Sequence, residues 1–395
     1  MIRDSVCDVV IVGAGIVGAA CAYYAARAGL DVVVVDRGPV AGGTTGAGEG
    51  NLLLSDKPPG PELDLALLSA RLWRQIAAEP FGGDIEFELK GGLVVAADSP
   101  GFDALRELAQ QQRHRGVEAS VVAADGLGEL EPRLTAGLAG GVFYPQDAQV
   151  QPALAAAHLL AAARRAGARL RAGENVTALL RTPDGAVRAV VTDRGEIHTP
   201  AVVNAAGVWG ADIAGLAAVT LPVQPRRGFI LVTEPLPPLI RHKVYAADYV
   251  ADVTSRSAAL QTSAVVEGTA SGPVLIGASR ERVGFDRGIS LPVLRRLAAQ
   301  AVALFPTLAR VNAIRAYTGF RPYLPDHLPA IGPDPRVPGL FHACGHEGAG
   351  IGLAPATGHL ISRALLGLPA GLDLSAFRPD RFSGPHFPNP AEEAC

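Results

Sequence analysis

The sequence predicts an α/β plus α+β fold, in which a helix-covered parallel sheet is joined to a largely antiparallel one. Three observations carry this. Residues 8–38, DVVIVGAGIVGAACAYYAARAGLDVVVVDRG, read as strand, tight turn, helix and strand. After residue 60 that rhythm breaks into amphipathic helices and hairpins. Residues 221–282 are then strand-rich, the pattern of an antiparallel sheet. A chain of 395 residues, 49% of them hydrophobic, has length and core for more than one domain.

The first strand is expected over 9–12, the helix over 16–28 with Gly29 placed to end it, and the second strand over 32–35. Gly13, Gly15 and Gly18 form GxGxxG in that setting. Gly13 permits the turn, Gly15 lets a pyrophosphate approach the backbone, and Gly18 lets helix pack on strand. The helix start adds free N–H groups and a positive dipole end. Asp36 closes the second strand, where a carboxylate binds ribose hydroxyls and repels a 2′-phosphate. GxGxxG alone is also the Gly-rich turn of other α/β units. With strand, helix, strand and acid around it, the motif reads as dinucleotide binding, Rossmann-like. Residues 41–56, AGGTTGAGEGNLLLSD, follow as a Gly/Thr-rich loop in place of another plain crossover. That suits close passage along an extended FAD better than NAD, with Thr44 and Thr45 offering hydroxyls to the pyrophosphate. A flexible surface loop is the alternative.

Helices are expected over 63–77 and 102–115, with a strand over 91–96 between them. Residues 143–151 read as a polar loop leading to Pro152, a natural first helical position, and to a helix over 153–166. Strands over 168–170 and 176–180 and a hairpin of 185–191 with 196–199 come next. TPAVVNAAGVWG, 199–210, repeats the strand-then-small-turn logic of the N-terminus, with Ala206, Gly207 and Trp209 in the turn, and marks a return to the nucleotide domain. The second sheet is expected from strands over 227–233, 245–251, 258–262 and 274–278, and a helix over 291–304. GFRPYLPDHLPAIG, 319–332, reads as a loop stiffened by prolines around Arg321. A strand over 340–343 enters the Gly-rich GHEGAGIGLAPATG, and a helix over 356–366 leaves it. The Pro-rich end, 385–390, is the one low-complexity stretch.

Net charge is −3 with the two signs interspersed, so nucleic acid is not an expected partner. No window reaches about 18 uncharged apolar residues, so no membrane span is expected. Arg3, Asp4 and Asp8 precede a short apolar run, without the unbroken segment of a signal peptide. Cys7, Cys21, Cys344 and Cys395 lack metal-ligand spacing, so no metal is expected. Scattered thiols suit a reducing cytoplasm.

VIVGAGIVG, GGTTGAGEGN, VVNAAGVWG, GFRP and GHEGAGIGLAPATG, in this order, resemble the D-amino-acid oxidase superfamily of flavoproteins over almost the whole chain. The look is that of glycine oxidase and of amino- and imino-acid dehydrogenase subunits. The resemblance implies a Rossmann-like FAD-binding domain of the glutathione-reductase type, interleaved with an antiparallel substrate domain. The FAD domain would comprise 1–90, 145–220 and 310–395, and the substrate domain 91–144 and 221–309. FAD contacts are implied at Ile16 and Val17, Asp36 and Arg37, Thr44 and Thr45, Glu49, Gly50 and Asn51, and at the Val176 backbone. Further contacts are implied at His346, Glu347, Gly348, Ala349, Gly350, Ile351 and Gly352. His346, a candidate catalytic residue, and Glu347 lie near the flavin on this reading, or are ordinary loop residues. Arg321 takes the place of the family arginine that clamps the substrate carboxylate; a salt bridge to Asp326 is the alternative. Tyr249 resembles the tyrosine that closes over that carboxylate, with Tyr245 as fallback and a core role open for either.

Two departures stand out. Some relatives carry a second arginine where this chain has Gly348, so one substrate contact is missing and the pocket has more room. Relatives with covalent flavin have a cysteine near GxRP, where this chain has Phe320, so FAD is expected to be non-covalent. The implied activity is oxidation of the C–N bond of a small carboxylate-bearing amine by hydride transfer to flavin N5. That chemistry needs no side-chain base when positioning is good. Substrates of the glycine, sarcosine, D-amino-acid, hydroxyproline and opine types all suit an arginine clamp. Two other classes stay open: a flavin-binding subunit of a multi-component dehydrogenase, with partner subunits or copies of itself, and an NAD-linked dehydrogenase.

Overall fold

The computed structural model describes residues 5–249 and 257–383. Val9–Val12 and Val32–Asp36 are β-branched runs covered on both faces, as central strands of a parallel sheet are. They lie inside a six-stranded sheet ordered Ala330–Pro333, Leu340–Cys344, Val202–Asn204, Val9–Val12, Val32–Asp36, Arg169–Ala172. Every neighbouring pair is parallel except the first. The period-two rule divides the valines between two cores. Val9, Ile11, Val32 and Val34 pack under the helices Ile16–Arg27, Pro152–Arg165 and Gly350–Leu365. Val10, Val12, Val33 and Val35 pack against a four-stranded sheet that contains the expected hairpin, Val187–Thr192 with Gly195–His198. The first and last of these helices cross backbone on backbone: a Cβ on Gly358 would fall 2.5 Å from the Ala20 carbonyl carbon.

The second sheet has eight strands, ordered Ala313–Tyr323, Gln224–Thr233, Val274–Arg280, Gln261–Gly268, Lys243–Ala246, Gly92–Ala96, Gly140–Tyr144, Ser120–Ala123. It is antiparallel apart from Lys243–Ala246 beside Gly92–Ala96. Leu294, Leu297, Ala301 and Leu304 of the helix Leu291–Leu304 cover it. Residues 313–323, assigned to the nucleotide domain on sequence, hydrogen-bond into this sheet as its edge.

Several expectations need correction. Phe143 and Tyr144, read as loop, are strand residues opposite Leu93 and Gly92, because their aromatic side chains have a core to fill. The strand expected over 245–251 is Lys243–Ala246, and the chain then turns into helix at Asp248; residues from 250 onward in that stretch lie outside the described residues. The strand expected over 258–262 is Gln261–Gly268. Arg321 sits on a strand, not in a loop: it pairs with Arg226, and Pro322, lacking an N–H, is tolerated because the strand is an edge. The last helix begins at Gly350, not at 356, and holds Pro355 in its interior. Proline there frees the Ile351 carbonyl. Trp73 Nε1–H donates to that carbonyl at 3.2 Å and to the Gly352 carbonyl at 3.1 Å, and Ser69 Oγ accepts the Ala356 N–H at 3.2 Å. The helix Pro61–Ala77 thus repairs its neighbour's ladder. The Pro-rich end and Cys395 lie outside the described residues.

Candidate active site

The glycine turn after Val12 is built by close approach. Gly13 has φ +117°, and a Cβ on it would run into the Ala205 carbonyl of the neighbouring strand's turn. A Cβ on Gly18 would overlap the Gly13 carbonyl, so Gly18 serves packing, as its place in the motif predicts. The helices starting at Ile16 and Gly350 have no acid in the first turn and no side-chain cap. The Ile16 N–H goes to the Thr45 hydroxyl, and the other N–H groups of the two first turns stay available to a ligand anion. Both starts open on one cavity of about 690 Å³ between the two large sheets.

Most residues named from the sequence line that cavity. They are Gly13, Gly15, Ile16, Val17, Asp36, Arg37, Thr44, Thr45, Glu49, Gly50, Asn51, Val176, Ala206, Gly207, Trp209, His346, Glu347, Gly348, Gly350, Ile351, Tyr249 and Arg321. Gly18, Ala349 and Gly352 stand behind the wall. Asp36 accepts the Ala14 and Gly38 N–H groups at 2.7 Å each, which fixes its carboxylate at the strand end. Thr45 Oγ1 accepts the Ile16 N–H at 3.0 Å. The Thr44 hydroxyl donates to the Phe320 carbonyl at 2.6 Å, a tie between the glycine loop and the Arg321 strand. Arg37 lies over the Trp209 ring at 4.0 Å.

Arg321 is partly buried and crosses Gly228, where any side chain would collide with it. Its Nη1 donates to the Ser279 carbonyl at 2.8 Å, and no carboxylate forms an ion pair with it among the described residues. Asp326, the alternative partner, is taken by Arg381 at 2.7 and 3.2 Å. Burial, then the nearby Arg280 charge, pull the Arg321 pKa below its usual value. Tyr249 faces the cavity, and its hydroxyl has no hydrogen bond among the described residues. Tyr245, the fallback, is fully buried with its hydroxyl on Ser55 Oγ at 2.5 Å.

His346 is a neutral imidazole: burial pushes its pKa down to about 3. Thr357 gives its proton to the Leu353 carbonyl, so at 2.9 Å His346 Nε2 is the donor and Nδ1 carries the lone pair. Glu347, in the left-handed region at φ +46°, turns its carboxylate to Arg226 at 2.5 Å and His327 at 2.8 Å. Burial raises its pKa, but the His327 hydrogen bond and the Arg226 charge outweigh this and leave it lowered. Glu49 accepts from Asn51 Nδ2 at 2.7 Å and belongs to a buried cluster in which Lys243 Nζ lies 2.8 Å from Glu267 and also donates to Asn51. Cys344 reaches the cavity wall, with its thiol pushed up to about 12 by burial.

Sequence reasoning missed Arg226, Lys243, Glu267 and Arg280. Each comes from the second sheet, and its partner lies far along the chain. Alternation was the available signal for one of them: of adjacent Arg226 and Arg227, one had to face inward.

The cradle fits FAD: two uncapped helix starts face a glycine-lined cavity with a carboxylate at the second strand's end. Residues 8–364 match the family described as DAO, FAD dependent oxidoreductase. The chain is 31% identical to hydrogen cyanide synthase subunit HcnC of Pseudomonas aeruginosa, with 98% of each chain covered. It is 30% identical to glycine oxidase of Geobacillus kaustophilus, covering 95% of this chain and 97% of that one. The crystal structure of that glycine oxidase superposes with a TM-score of 0.87 over 95% of this chain and 99% of that one, at 29% identity. Iminodiacetate oxidase (IdaA) from Chelativorans sp. BNC1 superposes with a TM-score of 0.81 over 94% and 98% of the two chains, at 26% identity.

Proposed function

Because the chain belongs to the DAO family of FAD-dependent oxidoreductases, we propose that it oxidises the C–N bond of a small amino or imino acid, of the glycine, sarcosine, D-amino-acid or hydroxyproline type. The observation that carries this is Arg321, a guanidinium on the cavity wall with no carboxylate partner among the described residues. A planar fork of N–H donors matches a carboxylate bidentately. Gly228 and Gly348 leave the space around it, and the unbonded Tyr249 hydroxyl is a second donor to the same anion.

The helix starts at Ile16 and Gly350 and the glycine loop would hold FAD, which when bound would supply the hydride acceptor for oxidation of the carbon bearing nitrogen. The side chains position. Arg321 fixes the carboxylate, which leaves the neutral amine and the α-hydrogen a single orientation. His346 stays uncharged and adds no competing cation. Water hydrolyses the imine product to an oxo acid and an amine. No side-chain base is needed when the amine arrives neutral and is held in position.

Arg321→Ala should raise the apparent KM by roughly 30-fold or more, the effect of losing about 2–4 kcal/mol of charge-assisted contact, while FAD still binds. Steady-state kinetics on the FAD-loaded variant reads this, and an unchanged KM contradicts the clamp. A second reading, a flavin-binding subunit with little activity alone, is supported by the likeness to HcnC. Turnover by the isolated chain would argue against it.

A further inference from the structure

Behind the cavity wall, against Tyr249, lies a second guanidinium that the clamp does not use. Arg280 ends the strand Val274–Arg280, next to Ser279, whose carbonyl holds Arg321 Nη1 at 2.8 Å. It is 4% exposed, and its guanidinium carbon lies 4.6 Å from the ring centroid of the cavity-facing Tyr249. Among the described residues it makes no ion pair with a carboxylate. Of the neighbouring buried cations, Arg226 is matched by Glu347, Arg227 by Glu281 and Asp286, and Lys243 by Glu267, while Arg287, on the cavity wall without an ion pair among the described residues, is exposed to solvent. The acids nearest Arg321 are engaged too, Glu347 by Arg226 and His327, and Glu49 by Asn51 and Lys243.

Two unneutralised cations in one desolvated place repel each other, and a ligand with one carboxylate leaves half of that charge uncompensated. Gly348 removes any side chain from the flank of Arg321; even a Cβ there would sit 3.6 Å from Nε. We propose that Arg321 and Arg280 are the two halves of a dicarboxylate site, and that the substrate is a small amine carrying a second carboxylate, bound across Tyr249. This rests on the C–N oxidation reading and narrows its substrate class.

The test is calorimetric titration of the FAD-loaded protein with thiodiacetate and with (methylthio)acetate, in which sulfur replaces nitrogen and no C–N bond can react. The diacid should bind at least about tenfold more tightly, the effect of one added charge-assisted contact. Arg280→Gln should weaken the diacid at least about tenfold more than the mono-acid, and Arg280→Lys, which keeps the charge, should restore part of the difference. Equal affinity of the wild-type protein for both ligands, or equal weakening of both by Arg280→Gln, overturns the proposal. Anaerobic mixing with iminodiacetate and with N-methylglycine separates the two readings. If the diacid preference is present but neither amine bleaches the flavin, C–N oxidation fails and the second site stands. If N-methylglycine bleaches it and the diacid preference is missing, the reverse holds.

Discussion

Arg321 and Tyr249 show how the site works at the scale of single residues. One is a cation without a carboxylate partner and the other a hydroxyl without a hydrogen bond, and both face the same cavity. Such groups are costly unless a ligand completes them. Arg321→Lys keeps the charge but loses the fork, so its KM should fall between those of the wild-type protein and Arg321→Ala in the same kinetic assay. A KM equal to the wild-type value would make the site a point-charge trap. Arg321 was marked in the sequence by GFRP, while Tyr249 was set before Tyr245 on a loose likeness alone; of the two tyrosines, Tyr249 lines the cavity wall and Tyr245 lies in the core. Arg280 was not marked: nothing in GASR singles out its arginine as one left without an acid. That fact emerges only when strands 274–280, 313–323 and the turn at Tyr249 converge.

Single elements were legible where local signals agreed with burial. The valine strands and the glycine turn follow directly from the sequence, and Leu291–Leu304 was placed to the residue. Two elements misled because a distant partner changed what proline does. Pro322 reads as loop, yet an edge strand has no use for its N–H. The helix expected over 356–366 runs through Pro355 from Gly350, because Trp73 and Ser69 take over the groups that the proline and its neighbour leave open. Trp73→Phe should therefore lower stability by about 1–3 kcal/mol, since two partly buried carbonyls lose a donor. Gly358→Ala should cost a similar amount, about 1–3 kcal/mol, by forcing two helix backbones apart. Urea midpoints measure both, and an unshifted midpoint in either variant contradicts the corresponding contact.

At the scale of the whole molecule, two sheets of different kind enclose a cavity, and buried groups, one of them on its wall, couple folding to pH. The unfolded His346 titrates near 6.5, while burial in the native state pushes it down to about 3. Between those values the unfolded chain binds a proton that the native protein does not. Stability therefore falls as pH drops through that window, at up to about 1.4 kcal/mol per unit. Asp147 acts oppositely: burial pushes it up to about 6, so its native carboxyl binds the proton first and stability rises as pH falls from about 6 towards 4. His346→Gln should lose less stability than the wild-type protein between pH 6.5 and 4 in urea unfolding, and parallel curves would contradict the neutral imidazole. That one sheet is parallel and the other largely antiparallel followed from the sequence, but their strand order did not. The charge pairing across them did not, because Lys243–Glu267 and Arg226–Glu347 are set by register. The measurement closest to the central claim mixes the isolated FAD-loaded chain with small amino and imino acids in the absence of air and follows the visible absorption of the flavin. At least one carboxylate-bearing amine should bleach that band, with Arg321→Ala requiring at least about tenfold more of it. A flavin that stays bound and yellow against the whole panel would contradict the account.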